Sequence, residues 1–222
     1  MARLPRLALP GFAHYVIQRG HNGQPVFLDA TDRSLYLAAM AAAAGAEPVQ
    51  LHAWALLETE VQLLATPASG DALSRFMQAV NRRYVRAFNT RHGRSGTLWD
   101  GRFRAAVVEP GVLRLHALAL VDTATATASG NTPAGQRRGG PRDSLAVDPP
   151  EYWALGNTPF EREAAYRALL DEGVPRATAH LLRRAALGGW AAGFASPSVQ
   201  HAEAGGRPLS PRRRGRPRLA LR

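Results

Sequence analysis

The sequence predicts an α+β fold, an antiparallel sheet with helices on one face, extended by a small helical segment and a basic tail. Three observations predict it. Apolar residues alternate between short β-branched or aromatic runs and helical spacing in the order β-α-β-β-α-β-α. Two of the β-like runs are separated only by Glu58-Thr59-Glu60, which suits a hairpin. Hydrophobic residues make up 45% and charged residues 20% of 222 residues, so most of the chain can bury a core.

The first strand is expected over Phe12 to Arg19, where Phe-Ala-His-Tyr-Val-Ile-Gln-Arg ends at Gly20. Thr31 or Asp32 can cap a helix carrying Leu35, Leu37, Met40 and an alanine run to about Ala44. Strands follow over Val49 to Leu57 and Val61 to Thr66. From Asp71 to Thr90, Leu73, Phe76, Met77, Val80, Tyr84 and Phe88 recur at helical spacing, while Arg75, Arg82, Arg83 and Arg86 fall mostly elsewhere on the wheel. This is a basic amphipathic helix. A short strand over Ala105 to Val108 and a helix from about Gly111 to Ala119 complete the order of a split βαβ, ferredoxin-like arrangement.

Composition then divides the chain into a ferredoxin-like domain over 1–122, a Thr/Ala/Gly/Pro-rich linker over 123–150, a helical extension over 151–193 and a flexible Arg-rich tail over 194–222. The extension holds a helix from near Thr158 and another after Pro175.

The net charge is +11, from 28 basic and 17 acidic residues, and every basic residue is arginine. Guanidinium forks pair with phosphate and stack on bases, so a nucleic acid is the expected partner. The absence of cysteine excludes disulfides, thiolate catalysis and iron–sulfur or zinc-thiolate sites. Pro5 and Pro10 break the N-terminal apolar run, and no window reaches the ~18 apolar residues of a membrane span. The expected location is the cytoplasm, with the nucleoid and not a membrane as partner. Walker, His-Glu-x-x-His and Gly-x-Ser-x-Gly motifs are missing.

Several blocks, in order, carry a resemblance. They are Pro10-Gly-Phe-Ala-His-Tyr-Val-Ile-Gln-Arg-Gly20, Gln24-Pro-Val-Phe-Leu-Asp29, Leu51-His-Ala-Trp54, the helix from Leu73 to Asn89, and Gly96-Thr-Leu-Trp-Asp-Gly-Arg-Phe-Arg104. Two more follow at Ala154 to Leu169 and at Arg213-Arg-Gly-Arg-Pro-Arg218. The chain resembles the REP-associated tyrosine transposases, relatives of the His-hydrophobic-His single-strand nucleases. The resemblance implies two metal-holding histidines on a central strand and a helical tyrosine that attacks the scissile phosphate. A Lewis acid and an in-line nucleophile are what that chemistry needs.

Both parts depart from the family's pattern. Registered on Leu63-Leu64 and Thr66-Pro67, the histidine positions hold Glu60 and Gln62. Their oxygens are legitimate ligands for Mg or Mn, so they are the candidate metal residues if the protein is active. The nucleophile position holds Leu120, and Tyr84 is the one substitute tyrosine singled out, set in an apolar stripe. The expectation is a transposase fold that binds DNA, needs no cofactor and has lost nicking. The alternatives are an active transposase cutting and joining single strands, and a duplex-binding architectural protein.

By the resemblance, the basic helix and the Trp-x-x-x-Phe segment lie near single-stranded hairpin DNA. That makes Arg82, Arg83, Arg86, Arg91, Arg94, Arg102 and Arg104 candidate phosphate contacts, with Trp99 and Phe103 read either as base-stacking or as core residues. In the tail, Arg212, Arg213, Arg214, Arg216 and Arg218 surround Arg214-Gly-Arg-Pro217, which resembles an AT-hook core for the minor groove of A·T-rich duplex; a plain basic tail is the other reading. Monomer and homodimer both fit.

Overall fold

The computed structural model describes residues 6–124, 133–194 and 208–211. Its elements run β1 (His14–Arg19), α1 (Ala30–Ala44), β2 (Val49–Leu56), β3 (Glu60–Pro67), α2 (Ala72–Arg91), β4 (Arg104–Val107), α3 (Val112–Ala124), α4 (Pro150–Trp153), α5 (Pro159–Glu172) and α6 (Arg176–Gly188). The four strands form one antiparallel sheet in the order β2-β3-β1-β4, the ferredoxin-like order expected from the element sequence.

Local chemistry sets the element ends. Asp29, and not Thr31 or Asp32, caps α1: its Oδ1 accepts from the Asp32 amide at 3.0 Å. Helix α5 starts with Pro159 at its first position and a capping box, in which the Glu161 amide donates to Thr158 Oγ1 and the Thr158 amide to Glu161 Oε2. Helix α6 ends at Gly189, whose φ of 70° is the left-handed conformation that glycine adopts without penalty. Helix α3 runs on to Ala124, with Val121 and Asp122 continuing its buried face past the expected stop at Ala119.

The helices expected on one face are α1 and α2, which bury Tyr36, Phe76, Val80, Tyr84 and Phe88 against Val16, Trp54, Val61 and Leu63. The other face is covered as well. Tyr15, Ile17, Ala53, Ala55, Leu64 and Ala106 pack under α3, α5 and α6, so the helical extension supplies a second layer over the sheet. Strand β3 explains it: Val61 and Leu63 face one way and Leu64 the other, all fully buried. A strand apolar on both sides needs cover on both sides.

Part of the stretch read as a loose linker is packed. Arg137 is fully buried and donates to Asp122 Oδ2 at 2.8 Å, to Asp148 Oδ1 at 2.7 Å and to the His52 carbonyl. That carbonyl sits at a bulge in β2, where the register shifts between Leu51 and Ala53. Tyr166 on α5 donates to the same Asp122 Oδ2 at 2.7 Å, so one buried ion pair ties the 133–148 segment, α3 and α5 together. Within the region read as a flexible tail, Leu209 packs with Leu7, Leu9 and Val107, and its carbonyl accepts from the Ala191 amide.

Candidate nucleic-acid interface

Helix α2 presents two surfaces. Its inner one is the apolar stripe; its outer one carries Arg82, Arg83 and Arg86, all exposed. Beside its first turns a groove of about 620 Å³ opens between α2, the end of β1 and the loop from Thr97 to Phe103. Arg82 and Arg102 line it from opposite sides, with Arg6 and Arg75 farther along. The loop is fixed by backbone pairing to β1: the His21 amide donates to the Leu98 carbonyl and the Asp100 amide to the Arg19 carbonyl. Gly20, at that junction, approaches so closely that a Cβ would stand 2.2 Å from the Gln24 carbonyl oxygen.

The arginines divide by what they touch. Among the described residues, Arg82, Arg83, Arg86, Arg102 and Arg104 enter no salt bridge. Arg91 does not fit the expected phosphate role. Its guanidinium holds Asp29 at 2.5 Å and Asp32 at 2.6 Å, with His92 on the same Asp32 carboxylate at 3.0 Å, so it fastens the end of α2 to the start of α1. Hydrogen bonds from Arg91 and from the Asp32 amide hold Asp29 down to about 2. Arg94 lies over the Phe88 ring at 5.5 Å. Arg104 is exposed but, by strand alternation, projects to the face opposite Ala105 and away from the groove.

Trp99 and Phe103 are core residues, each 5% exposed, which favours the core alternative over base stacking. Trp99 packs on Tyr36 and Tyr84 with ring centroids 6.3 Å and 6.2 Å apart, and the Arg6 guanidinium covers Phe103 at 3.8 Å. Both still line the groove. Sequence reading missed Arg6, Gln18 and Asn81: Gln18 is buried on the α2 side of β1, and its Oε1 accepts from Asn81 Nδ2 at 3.0 Å. A polar residue inside a β-branched run was the available signal.

Glu60 and Gln62 lie on the opposite face of the sheet, under α6. Arg183 donates to both Glu60 oxygens, at 2.8 and 2.9 Å; Gln62 Nε2 donates to Glu60 Oε1 at 2.7 Å; and Tyr15 donates to Gln62 Oε1 at 2.7 Å. Arg19 adds a contact at 3.6 Å. Burial alone would raise the Glu60 carboxyl, but hydrogen bonds from Arg183 and Gln62 outweigh it and hold the group below its ordinary value. These residues do not fit a divalent ion. Each oxygen that would ligate a metal already accepts a hydrogen bond, and a guanidinium supplies the positive charge. No group of three or more His, Asp or Glu able to hold a metal occurs among the described residues.

The nucleophile positions are equally closed. Leu120 packs against the α3-side core, and all five tyrosines, at 15, 36, 84, 152 and 166, are buried. Tyr84 is fully buried and donates to the Val26 carbonyl at 2.5 Å; burial pushes its hydroxyl well above the usual range, so it is no substitute nucleophile. His14 and His52 are buried in strands with ring nitrogens bonded to the Phe12 and Val147 carbonyls. The tail arginines at 212, 213, 214, 216 and 218 lie outside the described residues.

No protein-family model matches the chain, and no curated protein is a significant match. Among solved structures, a REP-associated tyrosine transposase bound to a REP hairpin aligns with a TM-score of 0.48 and 16% identity, over 57% of this chain and 74% of that one. A candidate transposase from Deinococcus radiodurans R1 aligns with a TM-score of 0.38 and 14% identity, over 59% of this chain and 97% of that one. Likeness at this level assigns no residue a role. No helix among the described residues is long and apolar enough to cross a membrane.

Proposed function

We propose that this chain is a DNA-binding protein of the tyrosine-transposase family that recognises single-stranded hairpin DNA through α2 and the loop beside it, without cutting the strand. The observation that carries the binding half is the set of exposed arginines on α2 and the adjoining loop, Arg82, Arg83, Arg86 and Arg102, that no carboxylate among the described residues neutralises. Cations left unpaired around a groove favour a polyanion. The loss of nicking is supported by the Arg183 guanidinium on Glu60, by a partly buried leucine, Leu120, at the nucleophile position and by the burial of every tyrosine. On this reading no Mg or Mn is required. The tail with Arg214-Gly-Arg-Pro217 adds affinity for A·T-rich duplex, and the protein resides with the nucleoid.

The test is incubation of the purified protein with labelled single-stranded hairpin DNA and Mg or Mn, read on a native and a denaturing gel. A shifted native band with an intact strand is expected. A cleaved strand or a tyrosine-linked adduct refutes the loss of nicking, and no shift at all refutes the binding. Removing residues 212–222, which leaves the packed Leu209 in place, should weaken A·T-rich duplex binding while leaving the hairpin shift in place.

A further inference from the structure

A second cavity, of about 280 Å³, lies on the α3 side of the sheet, between the segment after Arg138, α4 and the first turns of α5. That is room for one flat ring, with the rest of a ligand at the rim. Trp153 lines it, 43% exposed yet fixed in place: its Nε1 donates to the Asp148 carbonyl at 3.2 Å, and the Arg162 guanidinium lies 4.7 Å from the ring centre. Gly139 and Gly140 contribute bare backbone; a Cβ would stand 2.9 Å from Glu163 Oε2 on the first and 2.8 Å from the Gly135 carbonyl oxygen on the second. The charges around the cavity are left unmatched. Of its two carboxylates, Asp148 accepts from Arg137 and Gln136, whereas Glu163 accepts no hydrogen bond and joins no salt bridge among the described residues. Arg142 and Arg162 line the cavity, with Arg138 beside Gly139 and Arg167 one turn beyond Glu163. None of these four arginines enters a salt bridge among the described residues. The acids close by are engaged elsewhere: Glu161 in the α5 capping box and Asp143 by the Leu145 amide.

We propose that this cavity binds a free guanine mononucleotide, the base stacking on Trp153 and donating from its N1–H and amino group to Glu163, the phosphate held by Arg142 and the arginines around it. Charge selects the class of ligand. A cation would satisfy Glu163 but meets four guanidiniums. A simple anion satisfies the guanidiniums and leaves the carboxylate bare. A ligand that is neutral with two donors at one end and anionic at the other satisfies both. Among the common bases guanine alone sets two donors side by side on its pairing edge. Adenine and cytosine present a donor beside an acceptor, and uracil and thymine flank one donor with acceptors, so each turns a lone pair towards the carboxylate. An aromatic plate already held by its own hydrogen bond gives stacking with little ordering cost. The cavity shares no lining residue with the groove beside α2, so the assignment stands independently of DNA binding there.

Isothermal titration calorimetry of the purified full-length chain, without DNA, compares guanosine, inosine and adenosine monophosphates and inorganic phosphate. The guanine nucleotide should bind roughly tenfold more tightly than the adenine one, and the inosine nucleotide, which lacks the amino group, several-fold more weakly than the guanine one. Glu163→Gln should reduce guanosine monophosphate to the level of adenosine monophosphate, whereas Arg142→Gln should weaken all three nucleotides alike. Equal affinity for the guanine and adenine nucleotides overturns the assignment, as does guanine binding that Glu163→Gln leaves intact, or the absence of binding to any nucleotide. A competition arm separates the free nucleotide from a strand end. Fluorescently labelled guanosine monophosphate bound to the chain should be retained when a single-stranded oligonucleotide ending in guanine is added. Its release by that strand, but not by one ending in adenine, would give the cavity to a DNA end and overturn the free-nucleotide assignment.

Discussion

Replacing Arg183 by methionine tests the charge balance that stands where a metal would be expected. Methionine keeps most of the apolar stem and removes the guanidinium. The Glu60 side chain is 10% exposed, and the variant leaves it with Gln62 and an Arg19 contact at 3.6 Å in place of two charge-assisted bonds at 2.8 and 2.9 Å. Breaking a fully buried pair costs about 3–5 kcal/mol and an exposed one about 0–1 kcal/mol. Arg183 is itself 39% exposed, so solvent screens the pair and the loss should be about 2 kcal/mol. For a chain of this length that lowers Tm by roughly 4–8 °C at pH 7. The pH dependence has a definite sign. The Glu60 pKa is depressed in the folded protein, so its contribution is present above the unfolded value and is lost as pH falls through the folded one. In the variant the buried carboxyl takes up a proton at higher pH and the strain is relieved, so the gap to wild type should close as pH falls from 7 towards about 4. Thermal melts by circular dichroism at several pH values provide the check. An unchanged Tm at pH 7, or a gap that does not vary with pH, would refute the argument.

Three further outcomes are expected. In salt titrations of hairpin binding, Arg82→Gln with Arg86→Gln should flatten the slope of log K against log salt by roughly 1.4–1.8, whereas Arg91→Gln, already tied to Asp29 and Asp32, should leave it unaltered. Tyr84→Phe strands the Val26 carbonyl and should cost about 1–2 kcal/mol in urea unfolding with no change in DNA affinity; a loss of any covalent adduct in this variant would instead make Tyr84 a nucleophile. Burial lowers His14 from 6.5 to about 4, so its neutral form stabilises the fold fully above the unfolded value, and about 3 kcal/mol is lost as pH falls towards 4. A His14→Gln variant should therefore show a shallower fall in unfolding free energy between pH 7 and 4 than the wild type.

The alternation of residue types was enough to specify the ferredoxin-like order, because strand and helix periods are local properties of the chain: the run ending at Arg19 became β1 and the stripe from Leu73 to Phe88 became the inner face of α2. The all-arginine charge excess, the missing cysteines and the leucine at position 120 were equally local. What the sequence could not determine was which charges remain available. Arg91 and Arg82 sit nine residues apart on one helix, and only the fold brings Asp29 and Asp32 to the former and leaves the latter without a salt bridge among the described residues. The same holds across the sheet, where Arg183 meets Glu60 from 123 residues away, and Gln18 and Asn81 form one wall of a groove over a separation of 63. Ion pairs and pockets depend on distances of a few ångströms between segments remote in sequence, and packing alone sets those distances.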